Sequence, residues 1–186
     1  MALNSSGPIS LAGTTAGQSI ELENGGNGTT QISLNDTAVR NLAGVASGAI
    51  TMPTNFYGKS NRASISYTFS SNTANASLNL SSISGYVSGK SDITVTINSG
   101  VYLYATSTST YGLTLSGSTT GDTVTIVNNG YIIGQGGTAG DPGYAQATNG
   151  GPAINLGFGM ASCTINNSNA SAYIGGGGGA GGSANY

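Results

Sequence analysis

From Ala63 onward, apolar and polar positions alternate in short bursts. Ile65, Tyr67 and Phe69 share one face, and Leu78 and Leu80 continue the pattern, followed by Ile83. It returns at Ile93, Val95 and Ile97, then at Val101 and Leu103 opposite Tyr102 and Tyr104. Leu113 and Leu115, Val124 and Ile126, and Tyr131 to Ile133 complete it. Successive strand side chains point to opposite faces, so this period predicts short β-strands. The breaks between them are turn chemistry: Asn98-Ser99-Gly100, Ser116-Gly117-Ser118, Thr120-Gly121-Asp122 and Asn128-Asn129-Gly130. Short strands at this spacing predict a small β-sandwich or a β-solenoid-like stack of rungs over residues 61–133.

Residues 1–60 read differently. Ser19 to Glu23 alternates at period two and predicts a short strand, closed by the turn-forming run Asn24-Gly25-Gly26-Asn27-Gly28. One short helix is expected next, with Asn35 or Ser33 accepting from its first amides and Asp36 near its positive end. Val39, Leu42 and Ala43 fall on one face of it, and Gly44 or Gly48 stops it. Large apolar residues are sparse here, and so small a segment is marginal alone. Two readings stand: a floppy leader, or an extended N-terminal arm that orders by docking on a partner. The arm is favoured, and its anchoring residues would be Ile9, Leu11, Ile20, Leu22, Val39, Leu42, Phe56 and Tyr57.

Residues 134–186 form a glycine-rich module. From Gly130 on lie 17 of the 32 glycines. An internal echo runs through this part. Thr125 to Asn129 leads to Tyr131-Ile132 and a glycine tract, and Thr164 to Asn167 leads to Tyr173-Ile174 and another. Repetition of this kind suggests stacked rungs. The tracts could be linker, or could pack backbone against backbone as collagen does. Glycine is not strictly every third residue, so a collagen triple helix is not expected. The sequence stops four residues after Gly182 with little to cap the pattern, which fits a longer natural protein.

Composition narrows the chemistry. Gly, Ser, Thr and Asn supply 99 of 186 residues, and only ten residues are charged, for a net charge of −2. There is no His, and Cys163 is the one cysteine. Triads with a His base, His or multi-Cys zinc sites and an internal disulfide are thereby excluded. Nucleic-acid binding needs clustered Lys and Arg, which are absent. Low charge with many β-branched residues separates the chain from ordinary disordered segments and points to an exposed, mainly β protein. No basic and apolar start marks a secretory signal, and no apolar run approaches a membrane span.

Site chemistry is thin. Gly134-Gln135-Gly136-Gly137 follows a strand but lacks the Gly-Lys-Ser/Thr ending of a phosphate loop. Asp92, Asp122 and Asp141 could meet as glycosidase carboxylates, the minor alternative of a polysaccharide depolymerase. Asp141-Pro142-Gly143 reads as a turn, Cys163 as a small buried hydrophobe, and Asn75-Ala76-Ser77 as a chance sequon. No cofactor, metal or catalytic residue is expected. Tyr144, Phe158, Tyr173 and Tyr186 sit among glycines, the composition of adaptable binding surfaces. They are candidate receptor-binding residues, and equally could seal the edges of a glycine-rich core.

Several segments resemble a known family. Ser6 to Leu11, Ile32 to Asp36 and Met52 to Gly58 look like the leader of tailed-bacteriophage structural proteins. Asp92 to Tyr102 and Val127 to Gly137 resemble the β-plus-polyglycine part of phage tail fibre and tail-tip adhesins. The resemblance implies a virion component, assembled in the host cytoplasm and released by lysis. Its leader would attach to other tail or baseplate proteins. Its glycine-rich distal part would recognise a host surface glycan or outer-membrane protein. A homo-oligomer is implied, a trimer by default, with neither nucleic acid nor membrane insertion. The alternative is a purely structural baseplate, neck or head-decoration protein. The family's adhesins usually carry more glycine tracts than are present here.

Overall fold

The computed structural model describes residues 2–140, 146–157, 159 and 162–181. The chain divides into two compact units, Met1–Ala63 and Ser64–Tyr186. The glycine-rich stretch belongs to the same unit as the strands before it.

The first unit is not an extended arm. It holds its own core of Leu3, Ile20, Val39, Leu42, Ala43 and Phe56, with Ile9 and Leu11 packed at its margin. Of the expected anchoring residues, Ile20, Val39, Leu42 and Phe56 are therefore buried internally. Leu22 and Tyr57 are half-buried, and the Tyr57 hydroxyl donates to the Gly7 carbonyl at 2.9 Å. Backbone bonds close the unit without a sheet: Leu3 donates to Lys59 at 2.8 Å, and Asn4 to Gly17 at 2.7 Å. Few apolar residues suffice because each is placed by such specific bonds.

Two helices replace the single one expected. The segment read as a strand is a short helix, α1 (Ile20–Glu23). The Ser19 hydroxyl accepts from the Leu22 amide at 3.2 Å, capping the turn. A strand would also have put Glu21 in solvent. Instead its carboxylate is buried and accepts from the amides of Asn27 and Gly28. A local cap and a buried anion thus outcompete a period-two pattern only five residues long. Helix α2 (Thr37–Ala43) buries the expected face of Val39, Leu42 and Ala43. Its N-cap is Asp36, which makes no side-chain cap bond and accepts from the Ser33 amide at 2.7 Å. Gly44 ends it at φ 72°, a left-handed conformation that glycine adopts without strain.

The second unit is mainly β, and of the two architectures anticipated it is the solenoid. Its strands are β1 (Ala63–Phe69), β2 (Thr73–Ala74), β3 (Ala76–Asn79), β4 (Ser91–Ile97), β5 (Tyr102–Tyr104) and β6 (Leu113–Ser116). They continue as β7 (Thr123–Asn128), β8 (Tyr131–Ile133), β9 (Ile154–Gly157), β10 (Ser162–Asn166) and β11 (Tyr173–Gly175). Three sheets result, ordered β1-β4-β7-β10, β11-β8-β5-β2 and β3-β6-β9. Within them β4–β7, β7–β10, β2–β5, β5–β8, β8–β11, β3–β6 and β6–β9 are all parallel. Every third strand joins the same sheet, so the chain coils. Tyr102 pairs with Tyr131, 29 residues on, and Tyr131 with Tyr173, 42 residues on.

The core lies inside the coil. Ile93, Val95 and Ile97 point inward on β4, with Val124 and Ile126 on β7, Leu103 on β5 and Ile132 on β8. Each buried aliphatic side chain of this size stabilises by about 1.5–3 kcal/mol relative to exposure. The sequence echo is the stacking register itself: Thr125 lies beside Thr164, Ile126 beside Ile165, and Tyr131 beside Tyr173.

Candidate functional site

Three features of the second unit bear on function. The first is an aromatic column on the outer face of β5, β8 and β11. Because Leu103 and Ile132 point inward, their strand neighbours Tyr102 and Tyr131 point outward. Parallel register stacks Tyr102, Tyr131 and Tyr173 in one file. The Tyr102 and Tyr131 rings are 4.3 Å apart at 15°, a stacked pair. Tyr104 stands exposed beside them. Tyr173 was expected from sequence; Tyr102 and Tyr131 were read only as strand residues. One signal could have found them, since each follows an Asn-x-Gly turn by one or two residues. Tyr144, Phe158 and Tyr186 lie outside the described residues.

The second feature is the glycine layer. Segments 134–138, 148–151 and 175–180 run side by side and bond cyclically. Gly134 donates to Gly175 and Gly137 to Gly178, both at 2.9 Å. Gly177 donates to Gly151 at 2.8 Å, and Gly151 returns to Gln135 at 2.7 Å. Gly134, Gly137, Gly150, Gly151 and Gly177 therefore pack backbone against backbone. A Cβ on Gly134 would meet the Gly177 nitrogen at 2.8 Å, and one on Gly177 the Gly136 nitrogen at 2.7 Å. Neither glycine has left-handed φ, so close approach alone demands them.

The third is the carboxylate set. Asp122 is fully buried and accepts from the Thr119 amide at 2.8 Å, the Ser91 amide at 3.0 Å and the Tyr86 hydroxyl at 2.7 Å. Burial pushes its pKa up, but these bonds outweigh that and hold it below the ordinary value. Asp92 accepts from the Thr123 hydroxyl at 2.5 Å. Asp141 lies outside the described residues. Cys163 is half-buried, and burial pushes its thiol above the ordinary range, away from the reactive thiolate. Among the described residues no group of three or more His, Cys, Asp or Glu could hold a metal ion. No helix among them is long and apolar enough to cross a membrane.

The second unit is thus a parallel solenoid with an aromatic column on the outer face of one sheet and a glycine layer that continues from β8 and β11. Residues 64–186, about two thirds of the chain, match the family described as phage tail fibre adhesin Gp38. The chain belongs to that family. No curated protein and no solved structure matches it. The family match begins at Ser64, where the second compact unit begins. A role in host recognition by a phage tail fibre, as part of the virion tail, follows from the family.

Proposed function

We propose that the second unit is the adhesive part of the fibre and that residues 1–63 attach it to the rest of the tail. The coincidence of the family match with one compact unit carries this reading. It leaves the first unit, with its own core, as a separate piece available for attachment. Attachment in this form uses the assembled surface of the unit, since its largest apolar side chains are already buried. The fibre presents several copies, a trimer by default, so that avidity offsets weak single contacts.

We also propose that the chain acts by binding and not by catalysis. Asp122 is held as a hydrogen-bonded carboxylate, the wrong state for a general acid. Incubation with host polysaccharide should release no new reducing ends; shortened chains would overturn this part.

The domain assignment is tested on the particle. Phage encoding a chain without residues 2–63 should assemble fibres that lack it, as seen by immunolabelling. The intact purified chain should compete with phage for host cells. Normal labelling of the truncated form would remove the attachment role, and failure to compete would remove the adhesive one.

A further inference from the structure

The ten charged residues are Arg40, Lys59, Arg62, Lys90, Glu21, Glu23, Asp36, Asp92, Asp122 and Asp141. None lies on β2, β5, β8 or β11. The outward positions of that sheet are Tyr102, Tyr131 and Tyr173 in one file and Ala74, Tyr104, Ile133 and Gly175 in the next, and its strands carry no charge. Tyr173 ends the aromatic file on the edge strand and is 52% exposed, more than any other exposed large hydrophobic residue. Its ring reaches along the strand over Gly175, where a Cβ would overlap the Tyr173 hydroxyl. Gly175 thus opens the space in which the ring lies. At the opposite edge Asn72 accepts from the Tyr102 amide at 2.9 Å. Asn75 both accepts from and donates to Thr106, at 2.9 and 2.7 Å.

We propose that this face binds a neutral saccharide, with the Tyr173 ring as the stacking surface and the Tyr102–Tyr131 pair as its rigid continuation. A sugar ring has a C–H face and a hydroxyl rim. The C–H face suits the electron-rich face of an aromatic ring, and the rim suits tyrosine hydroxyls and side-chain amides. Tyrosine supplies this area with only two side-chain torsions to fix. Nucleic acid also stacks on aromatic files, but its phosphates need a basic groove that this sheet lacks. A membrane surface calls for a broad apolar face flanked by Lys and Arg, also missing here.

The proposal specifies the ligand class for the adhesive unit and rests on that reading, but it can fail separately. Saturation-transfer NMR on the full chain, with maltoheptaose, a neutral mannan fragment and a neutral galactan fragment, tests it. Polygalacturonate serves as the charged comparator. At least one neutral glycan should bind and the polyanion should not. Tyr173→Ala should weaken binding about tenfold, the scale of one aromatic contact. Tyr173→Phe should keep most of it, and Tyr67→Ala, on the β1 strand of another sheet, should change nothing. Circular dichroism should confirm that each variant is folded. Absence of binding to all three neutral glycans, or binding undiminished in Tyr173→Ala, overturns the proposal. Self-association that Tyr173→Ala abolishes would instead give the face to a second copy. If the chain still blocks phage adsorption while no glycan binds, the saccharide site falls and the adhesive role stands.

Discussion

The two units solve the same problem in opposite ways. Both have few large apolar residues and little charge. The first unit gathers its apolar side chains from distant points of a loop-rich chain, and single bonds such as Ser19 to Leu22 and Glu21 to Asn27 place them. It shows no exposed large hydrophobic residue among those described. The second unit repeats one solution in register, rung upon rung, and carries all seven of the exposed ones: Tyr67, Val87, Tyr102, Tyr104, Leu156, Ile165 and Tyr173. A core assembled from singular contacts leaves no large apolar side chain outside it among the described residues. A coil that faces every second residue inward must face the others outward, where they can bind.

The contrast can be broken hardest at the cores. Phe56→Ala should cost the first unit about 3–5 kcal/mol, enough to unfold a unit of that size. Ile126→Ala should cost about 2–5 kcal/mol in the second, where neighbouring rungs share the loss. Hydrogen exchange resolved by segment should show Phe56→Ala opening residues 2–63 and leaving β4 and β7 protected. Opening of both units together would mean they are not independent.

The glycine layer comes next. Gly177→Ala forces backbone apart and should destabilise by about 1–3 kcal/mol. Faster exchange of the Gly134, Gly151 and Gly177 amides would report it. Gly179→Ala, where no atom lies within 4 Å of a Cβ and φ is not left-handed, removes no close packing and should leave those amides unchanged.

Asp122→Asn should cost about 1–3 kcal/mol, because an amide nitrogen must face a backbone donor. The folded pKa of Asp122 lies below its unfolded value. Its contribution is therefore complete above about pH 4 and is lost as pH falls through the folded value. Thermal melts from pH 6 to pH 2 should show the wild type losing more stability than Asp122→Asn. Parallel losses would mean that Asp122 does not carry the acid sensitivity.

The smallest effect on stability is expected at Tyr173. Tyr173→Ala should shift unfolding by no more than about 0.5 kcal/mol, since the side chain is half exposed. A larger loss would make the aromatic column a structural brace.

Much of the second unit was legible because its signals are local and repeated. Period two placed Ile93, Val95 and Ile97 on the inner face, and the turn runs bounded the strands. The Asn-Asn and Tyr-Ile echo even contained the register that sets Tyr131 beside Tyr173. The first unit was misread because its decisive contacts are singular. Nothing in the alternation of Ser19 to Glu23 announces that Glu21 will be buried against amides six and seven residues on. Sparse apolar residues look like a missing core until the chain brings Leu3, Ile20 and Phe56 together. On the outer face of β5, β8 and β11, Tyr173 stood out among glycines, whereas Tyr102 and Tyr131 looked like ordinary strand residues.

The sequence by itself determined the mainly β class, the inward and outward faces of the strands and the excluded chemistries. Side-chain period, residue inventory and turn preference are properties of neighbours along the chain, so they can be read there. Only the tertiary structure decided solenoid over sandwich, the cyclic bonding of the three glycine segments, and the joining of three distant tyrosines into one column. Those depend on which strand lies beside which, and pairing across 29 to 42 residues is settled by the closure of the whole coil.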